Sequence, residues 1–221
     1  VPSEANLKSK LDSILLQGIP GAFYMDSSVL DKVLATDGVE AASPQFYLAS
    51  VSASCCSVAV QIIGFDPETD FSVQPWIREY YSGDIADLDI IVGSDITMPT
   101  NGYIRFFNVD CHVVAQLGKT GTGLDTAVYC NMDTIRYLMQ SARDIGMSTE
   151  TKADVNKVIS TVMVRTADGC DTQRVAASMN AHIRKVKATS TKDMISGIAG
   201  GLSNISKIIG SLVAVIWVLA L

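Results

Sequence analysis

Histidine is almost missing from this chain: His112 and His182 are the only two in 221 residues, which leaves little for acid–base or metal chemistry. A Cys–His catalytic pair needs converging side chains. His112 follows Cys111 in a run that reads as strand, where neighbours point apart, so it is expected on the solvent side. His182 falls at helical spacing with Met179 and Ile183, an inward position that suits a structural histidine. There is no Gly-x-Ser-x-Gly elbow and no Cys-x-x-Cys, the spacing that turns two thiolates toward one ion. A phosphate loop is lacking too. Gly118-Lys119-Thr120 looks like the end of one, but the loop needs a glycine five positions earlier, and residue 113 is Val in a β-like run. Asp84, Asp87, Asp89 and Asp95 lack the glycine and distal glutamate of a calcium loop and read as a solvated face. Excess positive charge is also absent. The net charge is -6, which argues against a nucleic-acid-binding role. No catalytic residue, metal, cofactor or nucleic acid is expected.

No charged-then-apolar leader is visible, and Val1 reads as an excision point. The five cysteines are an odd number, so at least one has no intrachain partner. Cys55 and Cys56 are adjacent, and a bridge between neighbours strains the ring it closes. Two uses stay open: a disulfide joining one of them, for instance Cys56, to Cys111, or buried thiols serving as small hydrophobes.

What the chain does have is a long patterned C-terminus. Ile195, Ile198, Leu202, Ile205, Ile209, Leu212, Ile216 and Leu219 alternate by three and four, one stripe of a single helix. After Lys207 no residue is charged, and the fourteen residues from Ile208 are apolar nearly all round. A crossing takes about 20, so the pattern reads as a stalk helix at 194–221 that enters a membrane; a buried core helix is the competing reading. Arg174, Arg184, Lys185, Lys187 and Lys192 cluster before it. Basic residues beside a membrane segment favour the cytoplasmic side, against the orientation argued below. Asn204-Ile205-Ser206 matches a glycosylation acceptor but lies within the stalk.

Along the chain, Leu7, Leu11, Ile14 and Leu15 share the face of a helix over 5–17, ended by Gly18 and Pro20. A strand at Ala22–Met25 precedes a helix with a capping box, Ser28 with Asp31, and a buried face of Val29, Leu30, Val33 and Leu34. Strands at Phe46–Val51 and Val58–Ile63 follow. Near the other end, Val158–Arg165 is β-branched strand material. A helix with Val175, Met179, His182, Ile183 and Val186 on one face comes next, then an extended piece near Ala188–Ser190. The two stretches share the order strand, helix, strand. They read as two βαβ-type halves whose strands join one sheet, with both helices on one face, in an α+β fold.

Between them, residues 66–149 read as an inserted, mostly-β second lobe. It holds a short helix near Trp76–Tyr81 and strands at Leu88–Val92, Tyr103–Phe107, Cys111–Leu117 and Thr126–Cys130. Its last helix places Ile135, Leu138, Met139, Ala142 and Ile145 inward and stops at Gly146.

Several strings in this order resemble one family. They are Val33-Leu34 through Gly38-Val39 to Ser43-Pro44; Val60-Gln61-Ile62-Ile63-Gly64-Phe65-Asp66-Pro67; Ile91-Val92-Gly93-Ser94; and Val113-Val114-Ala115 through Lys119-Thr120-Gly121 to Asp125-Thr126-Ala127-Val128-Tyr129. The chain resembles the extracytoplasmic domain of an ABC transporter permease of the MacB/FtsX type. The resemblance implies a porter-like subdomain (1–65 and 150–193), the second lobe at 66–149, and stalk helices at 5–17 and 194–221. It also implies a non-enzymatic role that couples stalk movement to export or to an outer partner. The partners would be an ABC ATPase subunit, a second permease copy in a homodimer, and an extracytoplasmic adaptor or a peptide or lipid substrate. Gly197 and Gly201 form a small-x-x-x-small pair that would let two such helices approach. Two rivals follow from the residues alone: a tail-anchored cytosolic interaction domain, which suits the basic cluster, and a thiol-dependent enzyme using Cys55, Cys56 or Cys111.

Overall fold

The structure, a computed structural model, describes residues 13–14, 19–51, 54–147, 149 and 151–190. The expected stalk at 194–221, with Gly197 and Gly201, and most of the helix at 5–17 lie outside the described residues. Among the described residues no helix is long and apolar enough to cross a membrane.

Among the described residues, nine strands and four α-helices are complete enough to define the α+β fold. In chain order they are β1 (Met25–Asp26), α1 (Val29–Leu34), β2 (Val39–Ala49), β3 (Gln61–Phe65), α2 (Gln74–Arg78), β4 (Asp89–Val92), β5 (Tyr103–Phe106), β6 (Val109–Gln116), β7 (Ala127–Asn131), α3 (Met132–Asp144), β8 (Val158–Ile159), β9 (Thr161–Thr166) and α4 (Thr172–His182). Seven strands form one mixed sheet in the order β5-β6-β4-β7-β3-β2-β9, and β1 pairs with β8. The β3–β7 and β4–β6 pairs are parallel; the other pairs are antiparallel. Strands from residues 66–149 and from the stretches either side are therefore hydrogen-bonded in one continuous sheet.

Strand alternation sorts the core into two layers. Phe46, Leu48 and Ile62 point to one face, where α3 covers them with Ile135, Leu138 and Met139. Tyr47, Ile63 and Phe65 point to the other, under α2 with its Ile77. On the first face, toward the β9 edge, α1 and α4 share a smaller cluster. Val29, Val33, Val175, Met179 and Ile183 pack there on Ala42, Val162 and Val164, and the pairing of Ala42 with Val164 puts these last on one side of the sheet. The two helices expected on a common face are thus together.

Several local expectations need correction. β2 is one strand of 11 residues starting at Val39, where the sequence reads as extended from Val39 but as a defined strand only over Phe46–Val51. Pro44 usually argues against a paired strand, but here β3 pairing begins only at Gln45, so one side of β2 is still free at the proline. Ser28 makes no side-chain cap; its N–H donates instead to Asp26 Oδ1 at 2.9 Å. Leu34 is 48% exposed, because α1 is a six-residue helix with only Val29 and Val33 buried. Ile145 lies past the end of α3 and is exposed. Residues 186–190 form no strand. The expected strand at Phe107 ends one residue earlier, since Phe107 and Asn108 have φ of 51° and 64°, the two-residue turn of a tight hairpin.

Candidate functional site

The first and last described segments, the N-terminal and C-terminal roots, are both packed onto the sheet. At the N-terminal root, Ser13 and Ile14 are helical, and Ile14 is 2% exposed among Tyr47, Ile63 and Phe65. Ile19 N–H donates to Ser13 O at 3.1 Å. Gly21 N–H then donates to Gln61 Oε1 at 2.8 Å, while Gln61 Nε2 donates to the carbonyls of Leu48 and Ile62. A buried glutamine thus ties this root to β2 and β3, two interior strands of the sheet.

At the C-terminal root, Ile183 is buried against α1 and β9. The chain turns at Lys185, whose φ is 64°. Asn180 then holds the outgoing segment at both backbone groups: its Nδ2 donates to Ala188 O at 2.9 Å, and its Oδ1 accepts from Ala188 N–H at 2.7 Å. One amide satisfying a donor and an acceptor mimics a strand pairing. By the alternation of β2, the two roots grip opposite faces of the same sheet.

The chemistry-bearing residues are dispersed. His112 is exposed, with Nδ1 3.1 Å from Asp89 Oδ1 and its ring tilted on Tyr103. His182 is exposed rather than inward, because it ends α4 while Met179 and Ile183 take the apolar side; its Nδ1 lies 2.9 Å from Ser178 O. Among the described residues neither histidine is hydrogen-bonded to a cysteine thiol or a serine hydroxyl. The Gly118-Lys119-Thr120 turn has its anion already. The buried Asp125 carboxylate accepts from Thr120 N–H and Oγ–H, both at 2.7 Å, and from Gly121 N–H at 2.6 Å. Burial pushes its carboxyl up, yet these donors win and hold it below the ordinary range. The amides that could cradle a phosphate are consumed within the fold.

All five cysteine sulfurs are unbridged, and only Cys170 is exposed. Burial pushes the Cys56 thiol up to about 11 and Cys111 up to about 12, and drives Cys130 well above the usual value. A nucleophilic cysteine needs the opposite shift. Cys55 and Cys56 sit with sulfurs 3.1 Å apart, and Met147, a residue no sequence signal connected to them, places its sulfur 3.6 Å from that of Cys55.

No family model and no curated protein matches the sequence. Among solved structures, the chain resembles the periplasmic region of MacB from Actinobacillus actinomycetemcomitans, with a TM-score of 0.48 and 10% identity over 82% of this chain and 84% of that one. It also resembles the extracellular domain of the noncanonic ABC-type transporter YknZ from Gram-positive bacteria, with a TM-score of 0.42 and 11% identity over 72% of this chain and 84% of that one.

Proposed function

We propose that the chain is the extracytoplasmic domain of an ABC transporter permease of the MacB/FtsX type, and that it transmits movement without doing chemistry. ATP hydrolysis takes place in a separate ATPase subunit or domain. Stalk helices at 5–17 and 194–221 carry the resulting movement across the membrane. The head, porter-like at 1–65 and 150–193 with a second lobe at 66–149, passes it to an adaptor or to a peptide or lipid substrate. Two permease copies bring their stalks together at Gly197 and Gly201.

The observation that carries this reading is the embedding of both roots: Ile14 in the layer beneath α2, and Asn180 with Ile183 fixing the exit segment. A stalk rooted in a close-packed core cannot move without moving the head, because packed cores shift as bodies rather than deform continuously. The sequence strings that resemble the family support the same reading.

The test uses the full-length permease with its ATPase and spin labels at Tyr137 and Asp168, both exposed. The Tyr137–Asp168 distance within one head should be the same with and without ATP, while the distance between the two heads changes. A changed distance within the head, or an unchanged distance between heads, contradicts coupling by a rigid body.

A further inference from the structure

Among the described residues no three His, Cys, Asp or Glu side chains gather at one point, so ions that favour oxygen or nitrogen have no ready-made site. The convergence that does exist is of sulfur alone. Cys55 Sγ lies 3.1 Å from Cys56 Sγ and 3.6 Å from Met147 Sδ. Adjacent residues on a strand point apart, but Cys55 ends a turn that leads into a single bridge residue at Cys56, and the 3.1 Å sulfur separation places both thiols on the same side. We infer that Cys55, Cys56 and Met147 form a binding site for a soft, thiophilic cation of the copper(I) class.

The donor set selects the ion. Thiolates alone suit zinc as well as copper(I), whereas a thioether belongs with the soft ligands that favour copper(I). Three sulfurs bound at about 2.3 Å around one trigonal ion stand about 4.0 Å apart. The observed separations fall short of that by less than about 1 Å, a shift within reach of side-chain rotation. On ligation each thiol gives up its proton, so one copper(I) displaces two protons and no electron changes hands.

The surroundings fit a bound ion. The Phe107 N–H points at Cys56 Sγ from 3.3 Å, an outer hydrogen bond that fixes and shields a metal thiolate. Asn108 N–H donates to Cys55 O at 3.0 Å, so the β5–β6 turn holds both cysteines. This turn keeps the bulky Phe107 at positive φ, a costly conformation that persists where the surroundings impose it. Cys56 also forms part of the lining of an open surface depression, with Ser57, Tyr103, Arg105 and Asp110, the side from which an ion would arrive.

The test is an anaerobic titration of reduced protein with copper(I) in competition with bicinchoninate, on a Cys170→Ser background that silences the exposed thiol. One copper per chain should be withdrawn from the chelator. The Cys55→Ser/Cys56→Ser variant should lose more than about 100-fold in affinity, beyond the effect of changing an outer partner. Met147→Leu, which keeps the apolar volume, should lose about tenfold for copper(I) and leave zinc affinity unchanged. If the double variant fails to fold, Cys55→Ser alone and Met147→Leu decide. Copper affinity unchanged in these variants overturns the site. So does reduced protein that leaves copper on the chelator, even where air oxidation joins Cys55 to Cys56.

Discussion

Gly64 stands on β3 beneath α3 with no room for a side chain, since a Cβ there would collide with Ile135. Gly64→Ala should therefore cost about 1–3 kcal/mol of stability, the usual range for overpacking, read as a lower urea midpoint with an unchanged slope. Asp125 governs the acid side. Its carboxyl lies below the ordinary range, as do those of Asp26, hydrogen-bonded by Ser28, and Asp110, paired with Arg105. For a carboxyl lowered by folding, the unfolded chain binds the proton first, so its contribution is complete above the unfolded value of about 3.9 and is lost as pH falls through the folded one. The melting temperature should hold steady down to about pH 5 and then drop. Asp125→Asn should melt lower at neutral pH, by roughly 2 kcal/mol for a lost charge-assisted bond, and show a shallower acid decline. A wild-type melting temperature that is flat to pH 2 would contradict the Asp125 account.

At the scale of elements, the Asn180 amide makes its own prediction. Asn180→Ala removes both bonds to Ala188, each worth about 1 kcal/mol. It should speed hydrogen exchange at Ala188 and trypsin cleavage at Lys185 and Lys187 while leaving amides of β3 and β7 protected. Equal protection in both proteins would mean that the exit segment is held by something else. Elements of this kind differ in how far residue patterns reveal them. α3 was readable because Ile135, Leu138, Met139 and Ala142 keep helical spacing and Gly146 ends it. β3 and β7 were readable as apolar runs, as befits strands buried on both faces. In the short α1 the roles of Leu34 and Ser28 are not legible, because six residues give too little periodicity to define a face. For β2 the extended run from Val39 is legible, but its continuity is not, because its apolar stretch begins only at Phe46. Met147 lies 92 positions from Cys55, and no spacing rule joins residues that meet only through folding. The Asn180 hold was hidden for the same reason, being a polar contact on an exposed helix side.

For the molecule as a whole, the sheet places the two roots on opposite faces with a close-packed core between them, the arrangement that the proposed coupling needs. The account requires the head to lie outside the cytosol, and Cys170 is a native reporter of that. It is the one exposed cysteine of the five, and the other four are buried. Spheroplasts bearing the full-length protein, treated with a charged maleimide that cannot cross the membrane, provide the measurement. Labelling that is present without permeabilisation, and absent from Cys170→Ser, is the predicted result. Labelling of Cys170 only after the membrane is opened would put the head in the cytosol and contradict the account.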